Sequence, residues 1–78
     1  MIEDSLGKVI RRRRLAKGLT QADLSRLVGI VQSHVSAVES ATKPPTMKTL
    51  ERICSALEVR VSELIAEAET DCRSMTRG

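Results

Sequence analysis

Gln32, Ser33, His34, Ser36 and Ala37 are small or polar, and they fall on one side of a stretch whose other side is aliphatic. A glutamine amide donates and accepts at once, which matches N6 and N7 of adenine in the major groove; serine bonds to several bases without discriminating, and alanine can touch a thymine methyl. Val31 is placed either for a thymine methyl or for burial beside Ile30. His34 is placed to flank a phosphate or is a plain surface histidine. Gln32 is either a base reader or an exposed helix residue of no consequence. Thr42 and Lys43 follow the stretch directly and suit contacts with a sugar-phosphate backbone. This chemistry is that of reading double-stranded DNA.

Such side chains work only if an element holds them at a groove, and residues 20–39 supply one. Thr20 suits an N-cap, because its hydroxyl can accept a bond from an orphan amide of the first helical turn. Leu24, Leu27 and Val28 form an apolar face at helical spacing. Gly29 follows, where a left-handed residue ends a helix without Cβ strain. Ile30, Val35 and Val38 resume the core. Two short helices joined by a tight turn present the second to the major groove, with the side chains at its start nearest the base edges. The amide ends of the second and fourth helices are further anion sites.

The pattern resembles the helix-turn-helix of the phage Cro and CI repressor family, the XRE-like regulators, over residues 6–68. The residues that carry the likeness are Leu19-Thr20-Gln21, Leu24, Gly29-Ile30, Gln32, Val35, Val38-Glu39, Pro45, Thr49-Leu50, Ile53, Ala56-Leu57 and Val59. It departs at Ser25, where alanine is usual, and at Ala41 and Glu58, where glycine is usual; the last two bear on loop geometry. The resemblance implies an all-α, compact five-helix, lambda-repressor-like DNA-binding domain. It implies that Gln21 and Gln32 hydrogen-bond to each other and that Gln21 also meets the DNA backbone, for which Thr20 is a further candidate. It further implies a pairing for Arg14. That residue shares a stripe with Leu6 and Ile10 at i, i+4, i+8, so it points inward and needs a partner; in the family the partner is the glutamate after the recognition helix, here Glu39.

Composition excludes other readings. The chain has 78 residues, 41% hydrophobic, with no Phe, Tyr or Trp. That length is one domain with an aliphatic core. Readers of single-stranded nucleic acid stack bases on aromatic side chains, which this chain lacks. No apolar run approaches the ~20 residues needed to span a bilayer, and the acidic start, MIEDSLGKVI, is not a signal peptide. The expected location is a bacterial or phage-directed cytoplasm. No Ser/His/Asp set converges and no glycine loop cradles phosphate, so no enzyme is expected. Cys54 and Cys72 lie at neither disulfide nor zinc-ligand spacing; Cys54 reads as core. No metal, cofactor or small-molecule effector is implied.

The net charge is +3 and its distribution is uneven. Lys8, Arg11, Arg12, Arg13, Arg14 and Lys17 crowd the first helix, and Glu63, Glu67, Glu69 and Asp71 make the last one acidic. The basic end is expected to face phosphates, or to be a solvated face. Helices are expected over residues 5–17, 21–28, 32–40, 47–57 and 63–69. Thr46 should cap the fourth, with Met47, Leu50, Ile53, Cys54 and Leu57 inward, and Ser62 the fifth. Residues 1–69 form the domain and residues 70–78 a flexible tail. Val61, Leu64 and Ile65 are left for a two-fold interface, since a module this small needs two half-sites. The expected function is a sequence-specific regulator acting as a homodimer on an operator, either a repressor or a controller protein of a restriction-modification operon. The alternative is an antitoxin that binds a toxin and its own operator; only residues 1–4 and 70–78 are spare for a toxin, which disfavours it.

Overall fold

The structure, a computed structural model, describes residues 2–76. It contains α1 (Ile2–Ala16), α2 (Gln21–Val28), α3 (Gln32–Glu39), α4 (Met47–Ala56) and α5 (Val61–Thr76), with no strand among the described residues. α2 and α4 are fixed by local chemistry. The Thr20 hydroxyl accepts the Asp23 amide at 3.0 Å and the Asp23 carboxylate accepts the Thr20 amide at 2.9 Å, a reciprocal cap. Gly29 ends α2 at φ 82°, a left-handed conformation that glycine adopts without penalty. Thr46 caps α4 by accepting the Thr49 amide at 3.1 Å.

The buried core is wholly aliphatic apart from Cys54, and joins Val9 and Ile10 of α1, Leu24 and Val28 of α2, Val35 and Val38 of α3, Leu50 and Ile53 of α4, and Leu64 and Ala68 of α5. Burial pushes the Cys54 thiol up, away from its reactive form. Leu27, expected in the core, is 61% exposed. Leu24 and Val28 are one turn apart and set the inward direction of α2; Leu27 lies about 100° round the helix from Val28 and falls on the flank. Met47, also expected inward, is 62% exposed. It stands in the first turn of α4, on the rim of a groove shared with Ile2, Pro44 and Pro45.

Two other expectations change at the last helix. α5 starts at Val61, not Glu63. Its first-turn acid, Glu63, accepts the Arg60 amide at 3.1 Å, so the cap lies before Ser62. α5 also runs past Glu69 to Thr76; residues 70–76, expected without regular structure, are its last turns, while Arg77 and Gly78 lie outside the described residues. The reason is tertiary. α5 packs along α1, and Arg12 reaches across to Asp71.

Ala41 and Glu58 stand at φ 63° and 57°. These are the two loop positions where the resembled pattern carries glycine. A side chain there is strained by about 1–2 kcal/mol, and in each loop backbone bonds hold the turn: Thr42 and Lys43 amides both reach the Ala37 carbonyl, and the Val59 amide reaches that of Cys54.

Gly7 has a separate role. A Cβ built on it would stand 2.5 Å from the Glu39 carbonyl oxygen and 2.7 Å from that of Val38. α1 therefore crosses the last turn of α3 backbone to backbone.

Candidate nucleic-acid interface

α3 is held by α1 and α2, and its held side differs from its free side. Val35 and Val38 turn into the core. At its C-terminal end the Glu39 side chain is only 4% exposed and that of Arg14 only 7%. Arg14 Nε donates to Glu39 Oε2 at 2.7 Å and Nη2 to Oε1 at 3.1 Å. Its third nitrogen, Nη1, donates to the Leu19 carbonyl at 2.7 Å. One guanidinium thus joins α1 to the end of α3 and to the turn before α2. No buried polar side-chain atom lacks a partner among the described residues.

Gln32, Ser33 and Ser36 are exposed on the outer side of α3, while His34 and Ala37 are half-buried beside them. Val31, open to two readings from sequence, is 68% exposed, so it is not packed beside Ile30. Past α3, Thr42 and Lys43 are exposed, and the Thr42 hydroxyl shares a 2.8 Å hydrogen bond with that of Ser40. The Thr20 hydroxyl is engaged in the cap of α2. The structure thus gathers Val31, Gln32, Ser33, Ser36 and Ala37 along one helix.

Gln21 behaves differently from the family pattern. Its amide Nε2 donates to Glu39 Oε1 at 3.2 Å, and no Gln21–Gln32 bond is formed among the described residues. Sequence reasoning missed this contact. The spacing of Gln21, Arg14 and Glu39 carries no signal that all three meet, because the meeting depends on how α1 crosses α3. It missed Gly7 for the same reason.

The arginine run is not a phosphate-facing surface as a whole. Arg12 donates to Glu67 and Asp71, each at 2.6 Å, and Arg13 to Glu67 at 2.7 Å. Lys17 pairs with Glu58. The basic helix and the acidic helix, expected at opposite ends, lie against each other, with Arg12 and Arg13 matched by Glu67 and Asp71. The Asp71 and Glu67 carboxylates hold the Arg12 guanidinium even more firmly protonated, and the Lys17 ammonium lowers the Glu58 carboxyl below its usual range. On α2, the Thr20 backbone amide and hydroxyl hold the Asp23 carboxyl low, and Arg26 pairs with it at 2.6 Å. Two of the orphan amide positions at the start of α2 are thereby filled from within.

Leu64 cannot serve a two-fold interface: it is 0% exposed and belongs to the core. Its neighbours Val61 and Ile65 are half-buried. Ile65 lines an open groove of about 250 Å³ with Ile2, Leu6, Pro44, Pro45 and Met47.

The helix-turn-helix family profile matches residues 10–64, which include all of α2 and α3. The transcriptional regulator ClgR of Mycobacterium tuberculosis is 26% identical over 87% of this chain. The chain spans only 61% of the length of that relative. The uncharacterised HTH-type transcriptional regulator y4dJ of Sinorhizobium fredii is 33% identical, covering 82% of this chain and 83% of its own. Among solved structures, ClgR of Corynebacterium glutamicum superposes with a TM-score of 0.95 over 99% of this chain and 82% of that one, at 23% identity. The restriction-modification controller protein C.AhdI of Aeromonas hydrophila gives 0.76 at 31% identity, over 78% and 92% of the two chains. SinR, a master regulator for biofilm formation solved in complex with DNA, gives 0.73 at 28% identity, over 77% and 97%.

Proposed function

The chain belongs to the helix-turn-helix family, and on that premise we propose that it is a DNA-binding transcriptional regulator that reads an operator as a symmetric dimer, one α3 in the major groove of each half-site. The observation that carries this reading is the outer edge of α3. Val31, Gln32, Ser33 and Ser36 are exposed together on a helix whose other side is locked into the core. Gln32 stands at the start of the helix, where a glutamine amide can meet adenine N6 and N7. Ser33, Ser36 and Ala37 add less selective contacts, and Val31 an apolar one. Thr20, Gln21, His34, Thr42 and Lys43 flank this edge and hold phosphates. The relatives named as transcriptional regulators, and the likeness to a protein solved with DNA, support the same reading.

The dimer follows from size: one module of this kind offers few base contacts, and two half-sites supply the rest. Val61 and Ile65, half-buried at the start of α5, form the two-fold surface, without Leu64.

A duplex is first selected with this protein from a random library, and binding to it is compared with a scrambled duplex at several salt concentrations. Gln32→Ala should cost about 1–3 kcal/mol on the selected duplex and relax choice at one base pair. Lys43→Ala should weaken both duplexes alike and reduce the salt slope by about one unit. If Gln32→Ala kept the parent's ratio of selected to scrambled affinity, α3 would not be reading sequence. Sedimentation showing only monomer at micromolar concentration, even with the selected duplex present, would remove the dimer.

A further inference from the structure

We propose that Arg14 and Glu39 are positioning residues for sequence discrimination, acting through Gln21; the proposal rests on the DNA-binding reading above. Two contacts govern the placement of Gln21, one on the turn before it and one on its side chain. Arg14 Nη1 donates to the carbonyl of Leu19 at 2.7 Å, just before the Thr20 cap, and so fixes where α2 starts. Glu39 Oε1 accepts Gln21 Nε2 at 3.2 Å, and so fixes the side chain of the first residue of α2. Both contacts depend on the same guanidinium, because Arg14 also holds the Glu39 carboxylate at two points.

The chemistry of Glu39 decides which way the amide of Gln21 faces. An ionised carboxylate only accepts hydrogen bonds. The nitrogen of the Gln21 amide therefore faces Glu39, and the opposite orientation would set oxygen against oxygen. Gln21 Oε1 and one N–H remain for other partners. The oxygen fits a donor, such as the amide nitrogen of Gln32 or an exocyclic amino group of a base. With Glu39 absent, either end of the amide can face outward, and donor and acceptor exchange places. A buried ion pair remote from the bases thus sets the hydrogen-bonding edge offered beside Gln32. This differs from the family pattern, in which the two glutamines orient each other.

The test has two arms. In the free parent protein, NMR should show a Gln21 side-chain amide whose proton bonded to Glu39 exchanges with water more slowly than those of the exposed Gln32. In Arg14→Met/Glu39→Met, which removes the pair without leaving a lone buried charge, the Gln21 protons should match those of Gln32. The ratio of affinities for the selected and scrambled duplexes should fall by roughly tenfold in that variant, within the range of one bidentate base contact. It should fall no further when the same changes are made in Gln21→Ala. Arg14→Lys, which keeps the charge but lacks the planar fork, should lower the ratio in the same Gln21-dependent way, and serves if the double variant does not fold. The proposal is overturned if the Gln21 and Gln32 amide protons of the parent exchange alike, or if the ratio falls equally with and without Gln21. A parent that binds both duplexes equally overturns the DNA reading and this role with it, a result distinct from either of those.

Discussion

Glu39→Gln should destabilise the domain by about 3–5 kcal/mol, because it leaves the Arg14 guanidinium buried with no counter-charge. The two side chains are 7% and 4% exposed, so water cannot take over. Folding stability is about 0.05–0.15 kcal/mol per residue, so the loss is a large share of what 78 residues can hold. Losing one partner is much worse than losing both: Arg14→Met/Glu39→Met should change stability far less than Glu39→Gln, since a buried ion pair roughly breaks even against packed apolar side chains. Urea unfolding of the parent and both variants gives the comparison. A loss below about 1 kcal/mol in Glu39→Gln, the range of exposed ion pairs, would show that the site admits water and that the pair does not hold α1 to α3.

Gly7→Ala should lower the melting temperature, although helix propensity favours the opposite. Alanine is better than glycine inside a helix by about 1 kcal/mol, and Gly7 sits inside α1. Geometry reverses the sign. The new methyl would lie 2.5 Å and 2.7 Å from the carbonyl oxygens of Glu39 and Val38, and neither oxygen can rotate away, since both are backbone. The two helices must separate, at about 1–3 kcal/mol for overpacking or more, and separation pulls Arg14 from Glu39. In a domain of this size about 1 kcal/mol moves the midpoint by roughly 4–8 °C, so calorimetry resolves the effect. An unchanged or raised midpoint would mean that α1 does not cross α3 as closely as described.

The elements around α3 were legible because their signals are local. Thr20 and Gly29 mark the two ends of α2 within the chain itself, and Leu24, Val28, Val35 and Val38 carry helical spacing into the core. The inward Arg14 was legible from its stripe. Leu27 and Met47 were misplaced because being aliphatic does not say on which side of the inward direction a residue falls. Leu64 and Ile65 are adjacent and alike in chemistry; only the crossing of α5 over α1 makes the first core and the second half-buried. The extent of α5 was hidden for the same reason, since residues 70–76 lack apolar periodicity. Their helix lies along α1, with a charge contact at Asp71. The edge of α3 as a set of exposed residues was legible; the tie from Gln21 to Glu39 was not, because it joins residues that only the packed helices bring together.

The pairing of Arg12 and Arg13 with Glu67 and Asp71 bears on how long a regulator of this kind lingers in the wrong place. Grip on arbitrary sequence comes from cations that displace counterions from phosphates. Arginines already matched by carboxylates of their own chain add little to that grip. A genome offers on the order of 10⁶–10⁹ competing sites, and a small protein with an unopposed run of arginines would be absorbed by them. If the chain binds DNA as proposed above, matching those charges internally would shorten each stop at a wrong site, so a scarce pool of molecules would spend more of its time in transit and reach its own site sooner.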